Sequence, residues 1–336
     1  MEKKRLHDSA ARLPALPRCW SDLTWQQLCQ VWRAKLRYGG NPAVARVAAL
    51  IALCGLSACE GHHGDDTATG ERRYALRGAD GRLWAATPRQ LAHLASEALP
   101  WLDYPYGDPG EDAVKDDRGK VVKERREPVM GYVNPGWRDA MSLPEETVEV
   151  DGVVFSLPQL AINNLTWEQY RSVQPLVPML FREGVTEGEA AQLQAQFVAH
   201  CLVPEQVQTE PSQDRFRPEH TFKYDNERAE QSVGFWKRQI EQGSVMYHIC
   251  FQVYQTAVQY YSVVYPLLFN GGGGGDPLRD ALTGEVNTLN AVMRYAKYTD
   301  QQKVYESNVP FVLDILNTMA KEAKEIEKIN SRIKKK

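Results

Sequence analysis

Apolar residues recur three and four apart over most of this chain, and in two places they switch to alternation. Leu23, Leu28, Val31, Trp32 and Leu36 fall on one side of a helix running from Leu23 to Tyr38. "GGNP" at 39–42 ends it, and Pro42 suits the first turn of a second helix over 42–56. That second stretch is apolar almost all round and is expected inside a bundle, so the two read as an αα-hairpin. A polar loop, "CEGHHGDDTATGE", follows. In "RYALRGADGRLWAAT" (73–87) Tyr74, Leu76, Leu83 and Ala85 flank a Gly/Asp turn, which predicts a β-hairpin. Thr87-Pro88-Arg89-Gln90 then opens a helix with proline at its first position.

The second half repeats the vocabulary. "TVEVDGVVFSL" (147–157) places Val148, Val150, Val153 and Phe155 around Asp151-Gly152, a second hairpin. "LTWEQYRSVQ" (165–174) starts a helix, and Thr186 with Glu189 starts another within 185–204. Residues 228–269 are helical in pattern and rich in aromatics. Five glycines at 271–275 predict a flexible break, since glycine loses the most backbone freedom on ordering. Asp276-Pro277 starts a helix toward Tyr295. The last helix, about Pro310 to Arg332, carries Val312, Leu316, Met319, Ala323, Ile326, Asn330 and Ile333 in steps of four and three. That seam suits a coiled coil or a bundle helix, and its terminal Lys/Arg complement the helix dipole.

These elements predict a mainly α protein with a small β component (α+β): helix pairs, one or two β-hairpins and a C-terminal helical region. The expected organisation is an N-terminal arm (1–20), a helix pair plus hairpin (21–102), a mobile insertion (103–145) and a hairpin plus helix pair (146–204). A linker (205–226), an aromatic-rich helical segment (227–270), the glycine linker (271–275) and C-terminal helices (276–336) complete it. At 336 residues the chain exceeds what one core usually organises.

One phrase returns. "LTWQQLCQVW" (23–32) and "LTWEQYRSVQ" each place threonine three residues before glutamine, the spacing of a capping box. Leucine precedes each threonine, and Leu28 and Tyr170 stand where a hydrophobic staple needs them. "ADGRLWAATPRQLAHL" (79–94) also parallels "VDGVVFSLPQLAINN" (150–164). The repetition reads either as a helix-start idiom or as a duplicated module. In a duplicated module the two hairpins could meet in one small sheet, with helix pairs on either side.

Hydrophobic content of 43%, charged content of 25% and a net charge of −3 are ordinary for a globular chain. They give no global pull toward nucleic acid or acidic membranes, and neither is expected as a partner. The most apolar stretch, 43–56, carries Arg46 and falls short of the about 20 residues a membrane span needs. No secretory signal pattern opens the chain, so a cytoplasmic location and six reduced cysteines are expected.

Candidate chemistry is sparse. Cys54, Cys59, His62 and His63 are the residue types that bind zinc, but their spacing matches no familiar finger, so helix-plus-loop is the preferred reading and a metal-dependent enzyme the alternative. His200-Cys201 and His248-x-Cys250 lie in apolar surroundings and read as core rather than thiol–imidazole pairs. The glycine run lacks the Lys-Ser/Thr of a phosphate loop. No catalytic set and no cofactor are expected. The aromatic block, Phe235, Trp236, Tyr254, Tyr260 and Tyr261 above all, exceeds one buried stripe. Part of it is expected to bind a partner, together with Leu316, Met319 and Ile326 on the last helix, which also offers a route to self-association.

Over residues 20–60 and 160–333, the LTW helix starts, the helix pairs parted by polar loops and "EVNTLNAVMRYAKYTDQQKVYESNVPFVLDILNTMAKEAKEIEKIN" resemble proteins of phage tail gene clusters. Among these the resemblance is to the tail assembly chaperones, and it carries no individual functional residue. It implies a non-enzymatic role, holding a helical tail protein such as the tape measure before assembly. A structural component of a tail or injection apparatus is the alternative within binding proteins.

Overall fold

The computed structural model describes residues 16–38, 41–65, 72–78, 81, 83–103, 113–115, 121–123, 143–207, 220–269 and 285–333. The chain divides into two compact units, Met1–Ala140 and Met141–Lys336. It is mainly helical with two small three-stranded antiparallel sheets.

In the first unit, helices α1 (Trp25–Arg37) and α2 (Pro42–Leu53) form the expected pair. Thr24 caps α1 through a complete box: its hydroxyl accepts from the Gln27 amide at 3.3 Å, and the Gln27 side chain accepts from the Thr24 amide at 2.9 Å. Asn41 caps α2, with Pro42 opening its first turn. Only Ala45, Ala49, Leu50 and Leu53 of α2 are buried, and Val44 is exposed. The helix is therefore covered along one stripe, and not all round as its composition suggested.

Strands β1 (Ser57–Asp65), β2 (Arg72–Arg77) and β3 (Leu83–Ala86) form a sheet in that order. The hairpin was expected, but β1 covers half of the stretch expected to be a polar loop. An edge strand is held by backbone hydrogen bonds to one neighbour, so it needs no apolar alternation. Its register with β2 shifts between Ala58 and His63. Helix α3 (Pro88–Ala98) follows, with a second complete capping box at Thr87 and Gln90.

Trp20, Trp32 and Trp101 cluster beneath α1, with ring centroids 6.2 and 5.3 Å from Trp20. The Trp101 indole donates to the Pro17 carbonyl at 3.1 Å. Residues 16–20 are thus packed into the unit rather than part of an arm; residues 1–15 lie outside the described residues. Of the expected insertion 103–145, a short strand pair is described, β4 (Ala113–Lys115) with β5 (Val121–Lys123). Most of the rest lies outside the described residues.

In the second unit, β6 (Thr147–Val150) and β7 (Val153–Ser156) turn through Asp151 and Gly152, both at positive φ (50° and 78°). Two consecutive left-handed residues give the tight turn that matches strand twist, as the Asp-Gly pair predicted. Strand β8 (Val203–Pro204) completes the sheet on β7. The two hairpins therefore sit in separate sheets, contrary to the single shared sheet of the duplication reading.

Helix α4 (Trp167–Val173) ends before Pro175, and α5 (Leu176–Leu180) follows. Helix α6 (Glu187–Cys201) packs along α7 (Asn226–Glu241). Gly243, at φ 88°, separates α7 from α8 (Met246–Val264). Short β9 (Gln206–Val207) and β10 (His220–Thr221) pair inside the expected linker, whose residues 208–219 lie outside the described residues. So do the five glycines. Beyond α9 (Pro266–Phe269) come α10 (Glu285–Ala296), α11 (Gln302–Tyr305) and the long α12 (Val309–Ile333).

The core of this unit is aromatic. Phe197 is fully buried, with Tyr247, Phe251 and Tyr254 edge-on to it at 5.5–5.7 Å. Trp236 lies 4.9 Å from Phe155. The Tyr261 hydroxyl donates to the carbonyl of Ala161, where Ala161 and Ile162 both hold positive φ (53° and 51°). Such a turn is costly for residues with a Cβ, and α8 packed against it holds it in place. No helix among the described residues is long and apolar enough to cross a membrane.

Candidate protein-binding surface

The root of α12 is fixed to the start of α4 by a pair of hydrogen bonds. The Trp167 amide donates to the Ser307 carbonyl at 2.7 Å, and the Val309 amide to the Leu165 carbonyl at 3.0 Å. Val309, Val312, Leu313, Ile315 and Asn317 are buried. From Lys321 to Ile333 every residue is exposed. Three isoleucines lie in that stretch, at 58% (Ile326), 54% (Ile329) and 65% (Ile333) exposure. A half-buried helix places apolar residues on its covered side only. Here the apolar row continues past the point where cover ends. A second apolar surface lies at α5, none of whose residues is buried: Met179 is 44% and the following Phe181 66% exposed, the latter tilted against Phe251 at 5.6 Å.

The structure distributes the expected partner-binding residues unevenly. Trp236, Tyr254 and Tyr261 are interior, so in this conformation they hold the core and offer no surface to a partner. The aromatic block is large because three helices and a strand converge on it. Phe235, near Phe155 at 6.0 Å, and Tyr260 are half-buried, as are Leu316 and Met319. Ile326 is exposed. Sequence reasoning passed over Ile329, which stands outside the four-three seam, and over "LVPMLF" (176–181). Five apolar residues around an internal proline were the available signal for the latter.

One polar network stands apart from these surfaces. His200, buried at the end of α6, has Nδ1 2.8 Å from the Tyr224 hydroxyl and Nε2 3.3 Å from the exposed Glu230 carboxylate. Its carbonyl accepts from the Gln169 side chain at 2.9 Å, and Tyr224 also donates to Asn226 at 3.1 Å. Sequence reading gave His200 no orienting partner; the fold supplies two. Burial pushes the imidazole pKa down while Glu230 opposes, and burial pushes the Tyr224 phenol up. A nucleophile needs the opposite shift, so the arrangement favours a static tie between α4, α6 and α7. A small cleft beside it is lined by Val203, Lys223, Tyr224, Asp225 and Arg228.

The zinc-type residues are split between environments. Cys54 is buried at the end of α2, where burial raises its thiol to about 11, and Cys59 is half-buried in β1. A thiol so raised is a poor metal ligand. His62 and His63 belong to β1, but their side chains lie outside the described residues. Among the described residues no three His, Cys, Asp or Glu side chains gather as a metal site. Cys201 and Cys250 are buried thiols with raised pKa values, and burial pushes His248 down to about 4, all consistent with the core reading.

In the first unit, the Lys35 ammonium donates to the Leu102 carbonyl at 2.9 Å and lies 5.6 and 5.5 Å from the Trp20 and Trp32 rings. Burial lowers its pKa to about 8. The two rings and the carbonyl favour the charged form, so the lysine acts as a polar brace under the tryptophan cluster.

Fold and surface together define a mainly α protein with a long terminal helix whose apolar row outlasts its cover. No family model matches the chain, and neither a curated protein nor a solved structure matches it.

Proposed function

We propose that the chain is a non-enzymatic protein-binding protein that holds a helical client against α12. Within that class the reading is a tail assembly chaperone, with a tape-measure-like tail protein as client. The observation that carries the binding role is the exposed isoleucine row at 326, 329 and 333 on a helix anchored firmly at its root. Amphipathic helices pair through apolar positions three and four apart, and such a row in water is the half-site of that pairing. The chaperone reading rests on the resemblance of the helix starts and the C-terminal segment to tail-cluster proteins.

The test is co-expression with the tape-measure protein of the same gene cluster. The expected result is a co-purifying complex that the Ile326→Glu/Ile329→Glu double variant loses. Absence of any complex with the unaltered chain sinks the chaperone reading. Recovery of the chain in finished particles replaces it with a structural tail role.

A further inference from the structure

We infer that the segment of α12 from Met319 to Ile333 receives an amphipathic helix whose apolar row is bordered by lysine or arginine. This rests on the protein-binding reading and adds the chemistry of the partner.

Helical spacing divides the segment into three strips. Met319, Ala323, Ile326, Ile329, Asn330 and Ile333 share the apolar side. Glu322 stands on the apolar side itself, one heptad before Ile329; Glu325 borders that side beside Ile329, and Glu327 borders it beside Ala323 and Asn330. Lys321, Lys324 and Lys328 follow one another three and four apart down the opposite side, and Arg332, one heptad after Glu325, shares its flank. Among the described residues of this segment, the three acids and Arg332 lie on or beside the apolar row, and the three lysines are turned away from it. All of these charged residues are exposed.

Charges bordering an apolar helix seam select the partner, because they come within a few ångströms of the charges bordering the opposite seam. A client helix edged by Lys or Arg places opposite charges against Glu322, Glu325 and Glu327. A second copy aligned in parallel sets Glu322 against Glu327, which disfavours it. An anionic lipid surface meets the three acids first, while the three lysines that would attract it face away. Charge complementarity therefore favours a basic-edged helix over both.

The experiment uses the full chain and two labelled synthetic helices of three heptads. Both carry Ile and Leu at the seam; one has lysine at every bordering position and the other glutamate. Fluorescence anisotropy at low salt is expected to show the lysine-edged helix binding at least tenfold tighter, with the ratio shrinking as salt rises. Glu322→Lys/Glu325→Lys/Glu327→Lys is expected to reverse the preference, and Ile326→Glu/Ile329→Glu to remove binding of both. Equal affinity, or preference for the glutamate-edged helix, overturns the charge inference and leaves the protein-binding reading standing. Binding of neither helix overturns both. Association with phosphatidylglycerol vesicles, or a dimer in sedimentation that Ile326→Glu dissolves, shows that another occupant takes the row and also overturns the inference.

Discussion

The amide of Trp167 donates to the carbonyl of Ser307 across 2.7 Å, joining the first turn of α4 to the residue two before α12. Thr166 and Asn308 form an antiparallel bridge beside it, and Leu165 accepts from Val309. The second LTW phrase thus starts one helix and fixes the origin of another. The first phrase starts α1 only, with no comparable bridge among the described residues. Thr166→Ala removes the cap and is expected to cost about 1 kcal/mol. Trp167→Ala, at a fully buried ring, is expected to cost about 3–5 kcal/mol. Chemical denaturation followed by far-ultraviolet circular dichroism measures both, and an unchanged midpoint for Trp167→Ala contradicts the packing described.

Substitution on the exposed row should separate binding from folding. Ile326→Glu/Ile329→Glu lies where cover has ended, so its effect on stability is expected within about 0.5 kcal/mol. A drop in melting temperature comparable to that of Trp167→Ala would mean that the row is already packed in the free protein.

Lys35 predicts a pH dependence of the first unit. Its pKa is lowered from 10.5 to about 8 by burial, so between those values the unfolded chain binds more protons than the folded one. Stability then rises with pH across that window, and below about 8 the full burden, roughly 3 kcal/mol, is present. The aromatic rings reduce it. Lys35→Met is expected to remove this slope, read as the difference between variant and parent in melts from pH 7 to 10. Parallel profiles would show that the ammonium carries no such burden.

Acid should act through His248. Burial lowers its pKa from 6.5 to about 4, so the folded form is neutral where the unfolded form is charged. Stability is expected to fall as pH drops from 6.5 to 4, by roughly 3 kcal/mol in full, and to level off with respect to this group below that. His200, also lowered by burial, adds in the same direction, with Glu230 opposing. His248→Gln cannot titrate and is expected to flatten the acid limb of the melting profile. An unaltered limb would assign acid sensitivity elsewhere.

Helix starts were the most legible part of the chain. Four capping boxes, at Thr24, Thr87, Thr166 and Thr186, form as their spacing requires, because each joins residues three apart. Since two of the four lie outside the LTW phrase, the box by itself marks no duplication. The Asp151-Gly152 turn was equally local. Strand β1 was not legible, because its reason for being extended is the partner strand. Nor was the exposed row: Trp236 and Ile326 both read as apolar helical residues, and only their surroundings separate core from surface.

The order of residues by itself determined where helices and turns begin, since caps, staples and left-handed pairs act within a few residues of their own position. It also determined that a four-three apolar row runs to the end of α12. The tertiary structure alone decided which part of that row is covered, which aromatics are interior, and which partners orient His200. Burial is set by elements brought together from distant parts of a unit, and the hydrophobic stabilisation of an isoleucine depends on the water removed from it rather than on its name.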